Sequence, residues 1–188
     1  MAGPVEIVIL AGGQSARMGR DKARLKLGRR TLLGHARAAA RETGWPVRVL
    51  RRDAVPRCGP LGGIVTALQR SRHDAVVFLS CDLPFVSAAA IRRVGRAVSA
   101  RRLAAFFEDD PGVVGFPFAL RREALPVVRA QIERRRFSLQ KLAAALGARR
   151  LRVPARQAWR WFNVNTPADL AEARQRYRRV ARSSKVKG

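Results

Sequence analysis

Residues 5–22 read VEIVILAGGQSARMGRDK, and the interpretation of this stretch decides how the rest of the chain is read. Val5 to Leu10 form an apolar run of strand length, and Ala11-Gly12-Gly13 ends it. A polar loop follows to Lys22, and residues 31–43 then place Leu32, Leu33, Ala36, Ala39 and Ala40 at helical spacing. Working outward, the same alternation continues. Residues 47–50, 75–80 (AVVFLS), 103–107, 113–118 and 151–153 are predicted strands. Predicted helices span 61–72, 122–134, 138–146 and 167–180, with one more capped by Ser87 that carries Ile91, Val94 and Val98 inward. Strands alternating with helices predict an α/β fold, with a mainly parallel sheet covered on both faces. Ligands of such sheets sit beyond the carboxyl ends of the strands. The loops after Leu10, Leu50 and Ser80 are therefore the places to look.

Composition narrows the class of function. The chain has 188 residues, 47% of them hydrophobic and 28% charged, a globular balance. Residues 1–181 are expected to form a single domain, with 182–188 as a basic, disordered tail. The 39 Lys and Arg against 13 Asp and Glu give a net charge of +26, and 34 of the 39 are Arg. Such a surface attracts polyanions. Yet the arginines are spread from Arg17 to Arg182, only three Trp and one Tyr could stack on bases, and no nucleic-acid-binding motif is present. Arginines on solvated faces are favoured over specific nucleic-acid binding, and a small anionic substrate fits the same charge equally well. No apolar run has the length of a membrane span and no signal peptide is evident, so a cytoplasmic protein is expected. Cys58 and Cys81 lack the spacing of a disulfide framework or a zinc site.

Four segments carry candidate chemistry. The first, LAGGQSARMGRDK at 10–22, is neither GxGxxG nor a P-loop. Gly12 and Gly13 let the backbone approach a ligand, and free N–H groups there can cradle phosphate oxygens. Arg17 and Lys22 add a fork-shaped and a mobile cation for a polyphosphate. A plain glycine turn with solvated bases is the alternative, and the clustering of these residues with Gly19 favours the phosphate loop. The second, RRDAVPRCGPLGG at 51–63, leads into a helix whose open N-terminus suits an anion or a base edge. Asp53 there either accepts hydrogen bonds from a nucleoside or pairs with Arg51 or Arg52. The third is CDLPF at 81–85, where Asp82 either binds Mg²⁺ beside nucleotide phosphates or closes the turn before the next helix. The fourth is FNVNTPAD at 162–169. Thr166, Pro167 and Asp169 read as a helix cap. On a strand, Asn163 and Asn165 would present two amides on one face.

LAGGQSARMGRDK, DAVPRCGPLGGI, CDLPF and NVNTPAD, in this order, resemble the molybdenum cofactor guanylyltransferases of the nucleotidyltransferase superfamily, from about residue 5 to about residue 172. The resemblance implies a three-layer α/β/α Rossmann-like nucleotidyltransferase fold. It implies transfer of GMP from GTP to the terminal phosphate of molybdopterin, with release of pyrophosphate. Carried over, Leu10, Ala11, Gly12 and Gly13 contact the nucleotide, Lys22 its phosphates, and Asp53 the nucleoside. Asp82 holds Mg²⁺, Arg17 and Lys22 stabilise the leaving pyrophosphate, and Asn163 and Asn165 face the molybdopterin. Two departures stand out. No Asn lies between Lys22 and Gly59, and Gly115-Phe116-Pro117 stands where the family often has His before Pro. The implied partners are GTP, molybdopterin, a molybdopterin-delivering protein and the recipient molybdoenzyme. The protein is expected to be a monomer, without nucleic acid or membrane. The alternatives are a cytidylyl- or sugar-phosphate nucleotidyltransferase of the same fold, or a catalytically inactive nucleic-acid-binding or regulatory relative.

Overall fold

The structure is a computed structural model that describes residues 4–12, 22–52, 55, 57–108 and 113–185. In chain order, β1 (Val5–Leu10) leads to a hairpin of two short strands, β2 (Lys26–Leu27) and β3 (Arg30–Thr31), and then to α1 (Leu32–Arg41). Next come β4 (Val47–Leu50), α2 (Pro60–Arg70), β5 (Ala75–Ser80) and α3 (Ala88–Gly95). They are followed by β6 (Ala104–Glu108), β7 (Val114–Arg121), α4 (Leu125–Glu133), α5 (Leu139–Ala145), β8 (Arg149–Arg152) and α6 (Pro167–Lys185).

The sheet runs β4-β1-β5-β7-β6-β8. The β4–β1, β1–β5 and β6–β8 pairs are parallel, whereas β7 is antiparallel to both its neighbours. The exception has a simple cause. Only residues 109–113 separate β6 from β7, too few for the crossover that parallel neighbours require.

Alternation along the strands divides the core. Ile7, Ile9, Val77, Leu79, Ala105 and Phe107 pack on one face with residues of α1 and α3 and with Trp161. Val8, Val76, Phe78, Ala104 and Phe106 pack on the other with α2, α4 and α5. Three layers result, as the sequence leads one to expect. Phe118 of β7 stacks between Phe78 and Phe106, at centroid distances of 4.9 and 4.6 Å.

A third cluster lies apart from both faces. Leu27, Leu32, Phe85, Val164, Leu170 and Ala173 form its buried centre, with Leu25, Trp159, Phe162 and Tyr177 packed against it. It joins the β2–β3 hairpin to α6. Gly28, at φ +63°, turns the hairpin under Tyr177, and a Cβ there would lie 2.5 Å from the Tyr177 ring. His35 accompanies this junction, its Nε2 2.8 Å from the Leu27 carbonyl oxygen and its ring edge-on to Tyr177.

Several sequence expectations are corrected. The hairpin is absent from the sequence reading, because strands of two residues leave no alternation to detect. Residues 163–165 are not a strand, so the two asparagines do not share a strand face. The segment from 122 begins as a 3₁₀ turn, Arg122–Ala124, before α4. The last helix continues to Lys185, into the stretch expected to be a disordered tail. No Gly or Pro lies in residues 182–185 to stop it. Among the described residues, no helix is long and apolar enough to cross a membrane.

Candidate active site

Strand register brings the loops together. Leu10 lies opposite Leu50 on one side and Ser80 on the other, so β1, β4 and β5 end at one edge of the sheet. The chain leaving β1 is pinned at once, because Ala11 N donates to the Leu50 carbonyl oxygen at 2.8 Å. Leu10, Ala11 and Gly12 are half-buried at this edge. A Cβ on Gly12 would sit 2.4 Å from the Arg51 carbonyl oxygen. Gly12 is therefore required by the neighbouring chain itself, a cause that the sequence reading did not supply. Gly13, Arg17 and Asp53 lie outside the described residues.

The second loop feeds α2 as expected. Pro60 occupies the first turn, and Gly59 at φ +55° precedes it with no side chain capping the helix. Leu61 N donates to the Cys58 carbonyl oxygen at 3.2 Å, and among the described residues no side chain caps the other N–H groups of the first turn, a place that suits an anion.

Asp82 follows β5 and is half-buried. The turn that follows it is closed by other atoms. Val86 N donates to the Leu83 carbonyl oxygen at 3.4 Å, and Ser87 Oγ caps α3 by accepting from Ala90 N at 3.3 Å. Among the described residues, no hydrogen bond or ion pair engages the Asp82 carboxylate. No group of three or more His, Cys, Asp or Glu side chains is gathered for a metal among the described residues. A lone carboxylate still fits a hard cation that completes its shell with water and substrate phosphate oxygens.

The fourth segment folds back onto the third. Val164 is fully buried, and its N–H donates to the Asp82 carbonyl oxygen at 2.9 Å. On either side of it, Asn163 is exposed and Asn165 half-buried. Lys22 Nζ donates to Asn165 Oδ1 at 2.7 Å. Three motifs far apart in sequence thus meet at one place. The helix cap forms as read: Asp169 Oδ2 accepts from Asn165 N and Thr166 N at 2.8 Å each, and Thr166 Oγ1 accepts from Asp169 N at 3.1 Å. The backbone N–H of Asn165 is the main cause that holds the Asp169 carboxyl below its usual range, aided by those of Thr166 and by the charge of Lys22. The Lys22–Asn165 pairing had no signal in the sequence, because 143 residues separate the partners.

Two cavities, of about 690 and 460 Å³, open at the opposite end of the sheet. One is lined by Leu68, Asp74 and Arg122, the other by Pro4, Trp45 and His73, and no described residue of the four motif segments lines either. Strand topology, rather than cavity size, therefore locates the site. His35 and His73 both lie outside it.

Residues 7–152 match the MobA-like NTP transferase domain. The chain is 35% identical over 175 residues to a molybdenum cofactor guanylyltransferase of Xanthomonas euvesicatoria pv. vesicatoria, an alignment covering 85% of this chain and 89% of that protein. Its fold is similar to that of molybdopterin-guanine dinucleotide biosynthesis protein A from Archaeoglobus fulgidus, with a TM-score of 0.69 and 18% identity over 90% of this chain and 97% of that one. It is also similar to a Mycobacterium tuberculosis H37Rv protein solved in complex with manganese, with a TM-score of 0.61 and 21% identity over 93% of this chain and 100% of that one.

Proposed function

The chain belongs to the MobA-like NTP transferase family, and from that premise we propose that it transfers GMP from GTP to the terminal phosphate of molybdopterin. The observation that carries the reading is the half-buried Asp82, whose carboxylate meets no partner among the described residues where the Lys22 and Asn165 motifs converge.

In this reading an oxygen of the molybdopterin phosphate attacks the α-phosphorus of GTP. The new P–O bond forms as the bond from the α-phosphorus to the bridging oxygen breaks, and pyrophosphate leaves with the electron pair. The attacking oxygen is already anionic, so no general base is needed, in keeping with two histidines that lie elsewhere. Positioning and charge neutralisation supply most of the acceleration. The backbone of Leu10, Ala11, Gly12 and Gly13 lines the nucleotide, and Asp53 accepts from its nucleoside. Lys22 and Arg17 hold the phosphates and stabilise the charge that develops on the pyrophosphate. Asp82 holds a divalent cation, Mg²⁺ in this reading, whose charge when bound polarises the α-phosphate. The manganese complex of a similar fold supports a divalent cation. Asn163, exposed, and the amide nitrogen of Asn165 face the molybdopterin. The working form is a cytoplasmic monomer with one catalytic domain.

The test is turnover with each of the four nucleoside triphosphates, with molybdopterin as acceptor, scored by pyrophosphate release with and without Mg²⁺. Release with GTP alone, abolished by removing the cation, is the expected result. Turnover with CTP in its place, or with a sugar phosphate as the better acceptor, moves the chain to another activity of the same fold. Salt-sensitive binding of nucleic acid without any turnover would remove the enzyme reading altogether.

A further inference from the structure

Asn165 stands where two motifs meet, and the reading above leaves its side-chain amide oxygen without a task. That oxygen accepts from Lys22 Nζ at 2.7 Å. Both side chains are half-buried, so the pair is neither a loose surface contact nor sealed from a ligand. Asn165 is itself held in place. Its N–H donates to Asp169 Oδ2 at 2.8 Å, and the preceding Val164 is fully buried with its N–H bound to the Asp82 carbonyl oxygen.

A lysine ammonium has three N–H donors on a flexible four-carbon stem. Engaging one donor with a neutral acceptor fixes the head and leaves two donors, with the full positive charge, for phosphate oxygens. A carboxylate in the same place would also fix the head, but would offset the charge that phosphates require. The nearby carboxylate, Asp169, accepts instead from the backbone N–H groups of Asn165 and Thr166.

We propose that Asn165 is a positioning residue for Lys22, its amide oxygen holding the ammonium so that the remaining donors meet the triphosphate of the nucleotide. The proposal rests on the reading of Lys22 as a phosphate ligand, and it gives Asn165 a role on the donor side of the reaction.

The test is calorimetric titration of GTP and GMP into the wild type, Lys22→Ala, Asn165→Ala and the double variant. Asn165→Ala is expected to weaken GTP about 5- to 10-fold, and GMP less, the scale of one ordinary hydrogen bond. In the Lys22→Ala background the same substitution is expected to add nothing, because its effect passes through Lys22. A purely structural role would lower both nucleotides alike and in both backgrounds. Equal losses in the two backgrounds, an unchanged GTP affinity or a tighter one would each overturn the proposal. If Lys22→Ala leaves GTP binding intact, the phosphate-ligand reading falls and the proposal falls with it. If Lys22→Ala weakens GTP but Asn165→Ala does not, the proposal alone falls. Should Asn165→Ala fail to unfold cooperatively, Asn165→Ser keeps a polar side chain beside the cap, is too short to reach Nζ, and carries the same expectations.

Discussion

Phe78, Phe106 and Phe118 stack in the middle of the sheet, each fully buried and each contributed by a strand of five to eight residues. The cluster of Leu27, Leu32, Phe85, Val164, Leu170 and Ala173 is assembled differently, from short pieces of both ends of the chain and one loop. The sheet core holds the strands in register and so aligns the ends of β1, β4 and β5. The flanking cluster sets where Lys22, Asp82 and Asn165 stand relative to one another. Stability and placement of the site are therefore largely assigned to different sets of apolar side chains.

Substitutions can break or sharpen that division. The largest effect is expected from Phe106→Ala, which removes a ring stacked 4.6 Å from Phe118 and leaves a cavity, at a cost of about 3–5 kcal/mol in denaturant unfolding. The molecules that remain folded should keep near-normal turnover. If they do not, the sheet core also governs placement of the site. Asp82→Asn keeps size and removes charge, so it should leave unfolding unchanged and lower GTP-dependent pyrophosphate release about 100-fold or more. Near-normal activity in that variant would remove Asp82 as the metal ligand.

Leu27→Ala is fully buried but lies in the smaller cluster. We expect about 2 kcal/mol of destabilisation, at the low end for such a change, together with weaker GTP binding in the folded protein. Normal GTP affinity would show that the cluster does not set the position of Lys22. The smallest effect concerns Asp169. Its carboxyl is held below the usual range, so its stabilising contribution is present above that range and is lost as pH falls through the lowered value. Asp169→Asn should therefore be less stable than the wild type at neutral pH, and the two melting temperatures should converge on acidification. Parallel curves would mean that the cap does not depend on the charge.

The same division explains what could be read from the sequence. Val5–Leu10, Val47–Leu50 and Ala75–Ser80 are short, mostly apolar segments bounded by loops, and their limits agree with the strands seen. The capping roles of Ser87, Thr166 and Asp169 were equally legible, because a cap bonds within four residues of itself. Strand β8, RRLR, begins two residues before the expected position. It lies at the sheet edge with a single buried residue, Leu151, so little hydrophobic pattern marks it. The site was legible as a set of loops but not as an arrangement. Nothing near Lys22 announces Asn165, and nothing near Gly12 announces the Arg51 carbonyl oxygen that forbids a side chain there. Both depend on long-range packing. For Asp82 the sequence left a ligand-binding and a turn-closing role open, and Val86 N and Ser87 Oγ close the following turn and cap α3 without its carboxylate.

The order in which the chain is synthesised gives the Lys22–Asn165 link a further meaning. All six strands of the main sheet have been made once Arg152 leaves the ribosome, whereas Val164, Asn165 and α6 are still to come. A nascent chain halted there holds every strand of its scaffold but lacks the partner of its lysine and half of the cluster beneath it. Completion of the proposed nucleotide site thus waits on a segment made after every strand of the scaffold.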